Sequence, residues 1–208
     1  KYEEQSFTED DLYHVDSTFF DIFSYKLLQG NPETALKEPN SVVLCEAMSE
    51  KIFGNETPLG KMITIGNQNR VFEVTGVIEN PPSNSHLQYN ILTSIHSFEF
   101  ASSDNWLNNS LQTYFTTVPG ASLANVQDKL NDFIENYIGP AIQEYMGQSL
   151  EYFKENDGKY GFDFIAVRDI HLRSKYVEEY EPASDIKYLY ILGAVGLFII
   201  LIASIHFI

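Results

Sequence analysis

The residues most suggestive of chemistry lie in "FGNETPLGKMITI", residues 53 to 65, where a glycine, a spacer and Gly60-Lys61 have the look of a phosphate-binding loop. Such a loop needs G-x-x-x-x-G-K-[ST] between a strand and a helix, so that backbone N–H groups and the lysine cradle the phosphates and the hydroxyl holds magnesium. Here five residues separate Gly54 from Gly60, and Met62 stands where the hydroxyl belongs. The flanks also read in reverse order, helix then turn then strand. Gly60 is therefore expected to be a turn residue and Lys61 a solvated cation at a strand end. The histidines, at 14, 86, 96, 171 and 206, have no i,i+3 or i,i+4 partner and no H-E-x-x-H context. There is no G-x-S-x-G elbow and no G-x-G-x-x-G fingerprint. The acids scatter along loops and helix faces, as on a solvated surface. Asn55-Glu56-Thr57 and Asn108-Asn109-Ser110 match the glycosylation sequon, a weak pattern that matters only in a eukaryotic secretory route. These observations predict no catalytic residues, no cofactor and no metal.

The elements that would position these residues can be read from pattern. "DSTFFDIF" (16–23) predicts a short helix capped by Asp16 or Ser17, and "LLQGNPETALKEPN" a turn-rich connection. "SVVL" (41–44) predicts a strand, and "EAMSEKIFG" a helix stopped by Gly54 in a left-handed cap. A turn at Thr57-Pro58-Leu59-Gly60 leads to the strand "KMITI", a hairpin turn at "GNQNR" and the returning strand "VFEVTGVI". "ENPPSNSHLQYNIL" reads as a proline-rich loop feeding an extended segment. Alternation predicts a strand in "LQTYFTTV" (111–118) and a last one in "GFDFIAVRDIHL". Between them Leu123, Val126, Leu130, Phe133, Ile134 and Tyr137 share one helical face, with Ser122 as N-cap and Pro140 opening a second helix. Residues 111–172 thus read as a βαβ-like unit with an extra helix, and residues 14–80 as a smaller mixed lobe.

Composition bounds the function. The chain has 208 residues, 44% hydrophobic, with 13 Lys+Arg against 29 Asp+Glu and a formal charge of −16. That charge argues against a nucleic-acid partner, whose phosphates need clustered cations. Cys45 is the single cysteine, so no intrachain disulfide can form. The N-terminal "KYEEQSFTEDD" lacks the apolar region of a signal peptide, and a start without Met reads as a piece of a longer chain. From Tyr188 to Ile208, "YLYILGAVGLFIILIASIHFI" holds no Asp, Glu, Lys or Arg. At about 1.5 Å per residue it spans about 30 Å, the thickness of a bilayer's hydrocarbon core. Lys187 can snorkel, and Tyr188 and Tyr190 suit the interfacial belt. Its flank, 168–187, carries four cations and five acids, so charge bias leaves the orientation open.

The order of motifs resembles the extracytoplasmic core domain of MacB/FtsX-type ABC transporter permeases. V-D-x-x-F-F-D-I-F supplies Asp16, Phe19 and Phe20, and L-L-x-G supplies Gly30. After S-V-V-L, I-F-G supplies Phe53 and Gly54, and P-L-G-K supplies Pro58, Gly60 and Lys61. "FEVTGVIENPPSNSHLQYNIL" continues with Gly76, Pro82, Ser85 and His86, and "DIHL" with Asp169 and His171. Single motifs are weak; their ordered combination covers nearly the whole chain. In three respects the sequence departs from the family. Cys45 stands where Ser is usual, a weaker helix cap, and His206 stands where Asn is common. The family's earlier βαβ-like segment is missing from this sequence, so either the larger lobe lacks partner strands or the chain is an excerpt.

The resemblance implies an α+β, two-lobed extracytoplasmic domain followed by one transmembrane helix. Its parts would be a sabre-like lobe (12–95), an incomplete porter-like lobe (96–187) and the helix (188–208) as a coupling rod. The 15 motif positions are then structural. It implies a non-catalytic permease subunit in a bacterial inner membrane, its soluble domain in the periplasm, working by mechanotransmission. Its partners would be a cytoplasmic ABC ATPase subunit that carries the ATP site, a second permease copy, and a periplasmic adaptor or substrate protein. The alternative is an extracytoplasmic sensor domain of a membrane receptor. The cargo is not legible in the sequence.

Overall fold

A computed structural model describes residues 1–103, 105–156, 158–173 and 186–207. Its centre is β3 (Ser41–Cys45), every residue of which is buried. The run Ser-Val-Val-Leu-Cys suits that place, because β-branched and aliphatic side chains pack well on both faces of a covered strand. Val42, Val43 and Leu44 are fully inaccessible, each contributing about 1.5–3 kcal/mol of burial. β3 runs parallel to β5 (Arg70–Ile78) on one side and antiparallel to β6 (Ile91–Ser94) on the other. β1 (Leu12–Val15) lies parallel to β6 at one edge. At the other edge the nine-residue β5 holds two short antiparallel strands: β4 (Met62–Ile65) against Arg70–Glu73 and β2 (Leu27–Gly30) against Gly76–Ile78. The result is one mixed six-stranded sheet in order β1-β6-β3-β5-β2, with β4 also on β5.

Two short helices attend the sheet. α1 (Phe19–Ile22) is shorter than the sequence suggests. Asp16 Oδ1 accepts from the Thr18 amide at 2.7 Å and its hydroxyl at 2.6 Å, a local turn that satisfies the entry to the helix. α2 (Glu46–Phe53) starts at Cys45, whose Sγ accepts from the Met48 amide at 3.4 Å while the thiol donates to Asn90 Oδ1 at 3.3 Å. Burial pushes this thiol's pKa up, so it stays protonated and can donate. α2 ends at Gly54, whose φ of +59° lets its amide reach the Glu50 carbonyl. With ψ of −119° it caps the helix outside the expected left-handed helical well.

The second half of the chain departs from the βαβ-like expectation. Residues 111–118 and 161–166 form no ladder among the described residues, and 111–118 is largely exposed. Alternation marks a segment able to be a strand, but a strand exists only where a partner takes up its N–H and C=O groups. "GFDFIAVRDIHL" ends instead in a 3₁₀ turn (Val167–Asp169) and a helix later in the chain. Leu27–Gly30, expected as connection, is a strand because β5 offers it an edge.

Between these segments the chain is helical: α3 (Leu123–Phe133), a π-helical turn (Ile134–Ile138), α4 (Gly139–Met146) and α5 (Leu150–Glu155). Pro140 stands in the first turn of α4, as expected, although α4 follows the π-helical turn without a break. Having no N–H, it leaves one rung unmade, and the Gly139 amide reaches back to the Ile134 carbonyl across a five-residue turn. The bulge keeps Ile134, Ile138 and Ile142 on one side, where with Leu150 they form a small core against Phe133, Phe153 and Phe162. Ser122 sits at the N-cap without a side-chain bond, whereas Ser149 Oγ accepts from the Tyr152 amide at 3.1 Å. α6 (Ile170–Arg173) and α7 (Ile186–His206) follow.

The chain divides into two compact units, Lys1–Asn80 with Tyr89–Asp163, and Pro81–Gln88 with Phe164–Ile208. α7 is 21 residues long with a mean hydropathy of 2.5, long and apolar enough to cross a membrane, and its apolar window is 0% buried. The junction containing Glu181, Pro182, Ser184 and Asp185 lies outside the described residues.

Candidate functional site

In the P-L-G-K turn, the Lys61 amide donates to the Pro58 carbonyl at 3.1 Å, so the turn runs from Pro58 to Lys61 rather than from Thr57 to Gly60. Gly60 has φ of +77° at its third position, as a type II turn requires. The Gly60 amide donates to Val74 at 2.8 Å, and the Lys61 carbonyl accepts from Val74 at 2.8 Å, which stitches the turn to β5. Lys61 is not a free solvated cation. Its Nζ pairs with Glu56, reaches Tyr2 Oη at 3.3 Å, and lies 5.2 Å from the Phe53 ring and 5.5 Å from the Tyr2 ring. The hydrogen bond from Lys61 to Glu56 is the main influence that raises the lysine's pKa. A phosphate would have to displace a carboxylate and two rings from this ammonium. Titrating the chain with Mg-ATP should therefore give no saturable heat; binding in the micromolar range would overturn this assignment.

The other motif residues build the sheet lobe's joints. Phe19, nearly buried, meets Phe20, Phe23, Tyr25 and Tyr89 in one aromatic cluster, with ring centroids 5.0–6.3 Å apart. Tyr89, 1% exposed, donates its hydroxyl to the Glu79 carbonyl at 3.2 Å, and burial holds its pKa far above the ordinary tyrosine value. Gly30 and Gly76 face each other across β2 and β5. Pro82, Ser85 and His86 fall in the second unit, as do Asp169 and His171. There the Pro82 carbonyl accepts from the Ser85 amide and from Gln88 Nε2, each at 2.9 Å. Ser85 Oγ accepts from the Leu87 amide at 3.1 Å, and the Asp169 amide donates to Ala166 at 2.7 Å in the 3₁₀ turn. His86 is half-buried, and His171 is exposed on α6.

Sequence reasoning missed β1, whose Leu-Tyr-His-Val carries only a weak alternation, and with it the setting of His14. His14 Nδ1 lies 2.6 Å from Thr93 Oγ1 on β6, and its ring packs 4.0 Å from that of Phe98. Across all these joints the side chains hold elements together. Among the described residues no group of three or more His, Cys, Asp or Glu is placed to hold a metal ion.

The architecture is thus an α+β domain in one chain with a helix long and apolar enough to span a bilayer. The family model described as MacB-like periplasmic core domain matches residues 1–133, and the chain belongs to that family. The match runs from the N-terminal residues through α3, so Asp169, His171 and α7 lie beyond it. A curated relative, the macrolide export ATP-binding/permease protein MacB of Aggregatibacter actinomycetemcomitans, is 37% identical over 79 residues, covering 36% of this chain and 12% of the relative. A domain of a putative permease protein from Porphyromonas gingivalis superposes with a TM-score of 0.48 at 24% identity, over 59% of this chain and 57% of that one. The periplasmic region of MacB from Actinobacillus actinomycetemcomitans gives 0.44 at 20% identity, over 77% and 72%.

Proposed function

We propose that this chain is the extracytoplasmic part of an ABC transporter permease subunit that carries motion from ATP hydrolysis to work outside the cytoplasm. The observation that supports this reading most is the family match over residues 1–133 in one chain with the 21-residue apolar α7. The ATP site lies on another chain or domain. A cytoplasmic ABC ATPase dimer closes, the membrane helices shift, and α7 passes the shift to the soluble lobes. The lobes correspond to a sabre-like part (12–95) and a porter-like part (96–187). The subunit sits in the bacterial inner membrane, its soluble domain in the periplasm, paired with a second permease copy. The work done there is efflux, or lipoprotein or peptide handling, with a periplasmic adaptor or substrate protein as partner.

The 15 motif positions serve as joints in this reading, because transmission needs rigid lobes rather than reactive groups. The decisive link is the junction before α7. A flexible Gly-Ser stretch inserted after Pro182 in the parent permease should uncouple transport from ATP hydrolysis while folding and membrane insertion survive. Efflux-dependent growth, measured beside the ATPase rate, is the readout. Full transport with the insertion present would sink the rod.

A further inference from the structure

Between the sheet and the helical segments the chain makes two 3₁₀ turns, Ile95–Ser97 and Glu99–Ser102. This strap is held to the sheet at named points. Arg70, on β5, donates to the Ser97 carbonyl, and its guanidinium carbon lies 4.8 Å from the centroid of the Phe98 ring. The Asn40 amide, just before β3, donates to Ser97 Oγ at 2.8 Å. The Phe98 ring also packs against His14, with centroids 4.0 Å apart and planes 43° from parallel, and stacks on Phe100 at 5.6 Å. His14 is tied in turn to Thr93 of β6, its ring nitrogen 2.6 Å from the hydroxyl.

We propose that His14, Phe98 and Arg70 form a proton-sensitive clasp, which holds the strap on the sheet while His14 is neutral and loosens when His14 is protonated. Phe98 packs with an imidazole and with a guanidinium that stays charged at all relevant pH. His14 is an exposed residue of β1, but one face of its ring lies against Phe98 and its Nδ1 against Thr93. A proton on it places a second positive charge near Arg70, on a ring that these two contacts take only in part from water. The elements packed on His14 offer little relief. β6 presents the uncharged Thr93 and the strap presents Phe98 and Phe100. Among the described residues the ion pairs are Lys51 with Glu9 and Lys61 with Glu56, and none joins His14 to the strap's titratable residues, His96 and Glu99. Burial first, and the Arg70 charge second, push the His14 pKa below the ordinary histidine value. The sign follows from that direction. With His14 less willing to take a proton in the closed clasp than in the open one, the clasp is strongest above about pH 6.5. It weakens as pH falls through that value and levels off below the pKa of the closed state. The inference concerns the domain alone and stands whether or not the parent is a transporter.

Hydrogen exchange read by mass spectrometry tests it, using the full chain in detergent micelles at pH 7.5 and 5.0 with intrinsic exchange rates corrected for pH. Residues 95–103 should exchange about threefold faster or more at pH 5.0 relative to β3. His14→Phe, which keeps a ring in place, should flatten that rise, and Arg70→Gln should reduce it. The clasp is overturned by a strap that opens no more than β3 at pH 5.0, or by an undiminished rise in His14→Phe. If a variant loses protection of β3 at pH 7.5, the wild-type chain still decides by NMR. His14 ring protons should titrate with the midpoint of strap opening, and separate midpoints would refute the link.

Discussion

Deleting residues 186–208 should turn a detergent-dependent chain into one that stays monodisperse in plain buffer. α7 carries twelve Leu, Ile, Val and Phe side chains over 186–206, and Lys187 near its start is its sole Lys, Arg, Asp or Glu. At about 0.3–0.6 kcal/mol per such side chain, insertion is favoured by roughly 5 kcal/mol before backbone and polar terms are counted. Lys187 sits close enough to the end to reach the interface, and Ser204 already donates its hydroxyl to the Ile200 carbonyl at 2.8 Å. The exposed alternative is costly: Ile191, Leu192, Leu197, Phe198, Ile199, Ile200 and Ile202 are each 58–69% accessible. Such a surface does not persist in water. Size-exclusion chromatography with light scattering is the measurement. A full chain that runs as a monodisperse monomer without detergent would show that the apolar helix packs internally.

Gly30→Ala should be among the most damaging single changes in the sheet, costing about 3 kcal/mol and lowering the melting temperature by roughly 10 °C. Two effects combine. Gly30 has φ of +97°, a region that strains any residue with a side chain, and an added Cβ would stand 2.4 Å from the Thr75 carbonyl oxygen and 3.1 Å from Gly76 Cα. Those are backbone atoms of β5, which is pinned on its far side by β3, so neither can step aside. Its partner Gly76 is tight for the same reason: a Cβ there would meet Leu27, the Gln29 carbonyl and Val43 at 3.1–3.2 Å. Gly60→Ala is the control. Its φ of +77° is also strained, but nothing lies within 4 Å of an added Cβ, and a cost of about 1 kcal/mol is expected. Equal losses in the two variants, by thermal unfolding of the detergent-solubilised chain, would refute the close-approach argument for Gly30.

Some features of this protein are local in origin, and those were legible. The apolarity of α7 is a property of one continuous segment. β3, α2 and the β4–β5 hairpin each carry their own period, caps and turn residues, from Ser41 through Gly54 and Gly60 to Ile78. The failure of the phosphate-loop reading was likewise local, because spacing and the missing hydroxyl are written in nine consecutive residues, Gly54 to Met62. Cys45 capping α2 was readable too, since a cap acts over three residues.

What needed the tertiary structure were the pairings. Residues 111–118 alternate as well as β5 does, yet β5 has β3, β2 and β4 beside it and 111–118 has no ladder partner among the described residues. A strand's backbone groups must be satisfied by another segment, which no period of its own can supply. The same asymmetry made Leu27–Gly30 a strand, gave Gly30 a reason to be glycine beyond its turn, and bent α3 into a π turn ahead of Pro140. Lys61 looked solvated because the rings that enclose it, Tyr2 and Phe53, lie 59 and 8 positions away. His14 looked solitary because Thr93, Phe98 and Arg70 come to it from other strands and turns. Side-chain chemistry was visible residue by residue, but its neighbours were set by which strands the sheet brought together.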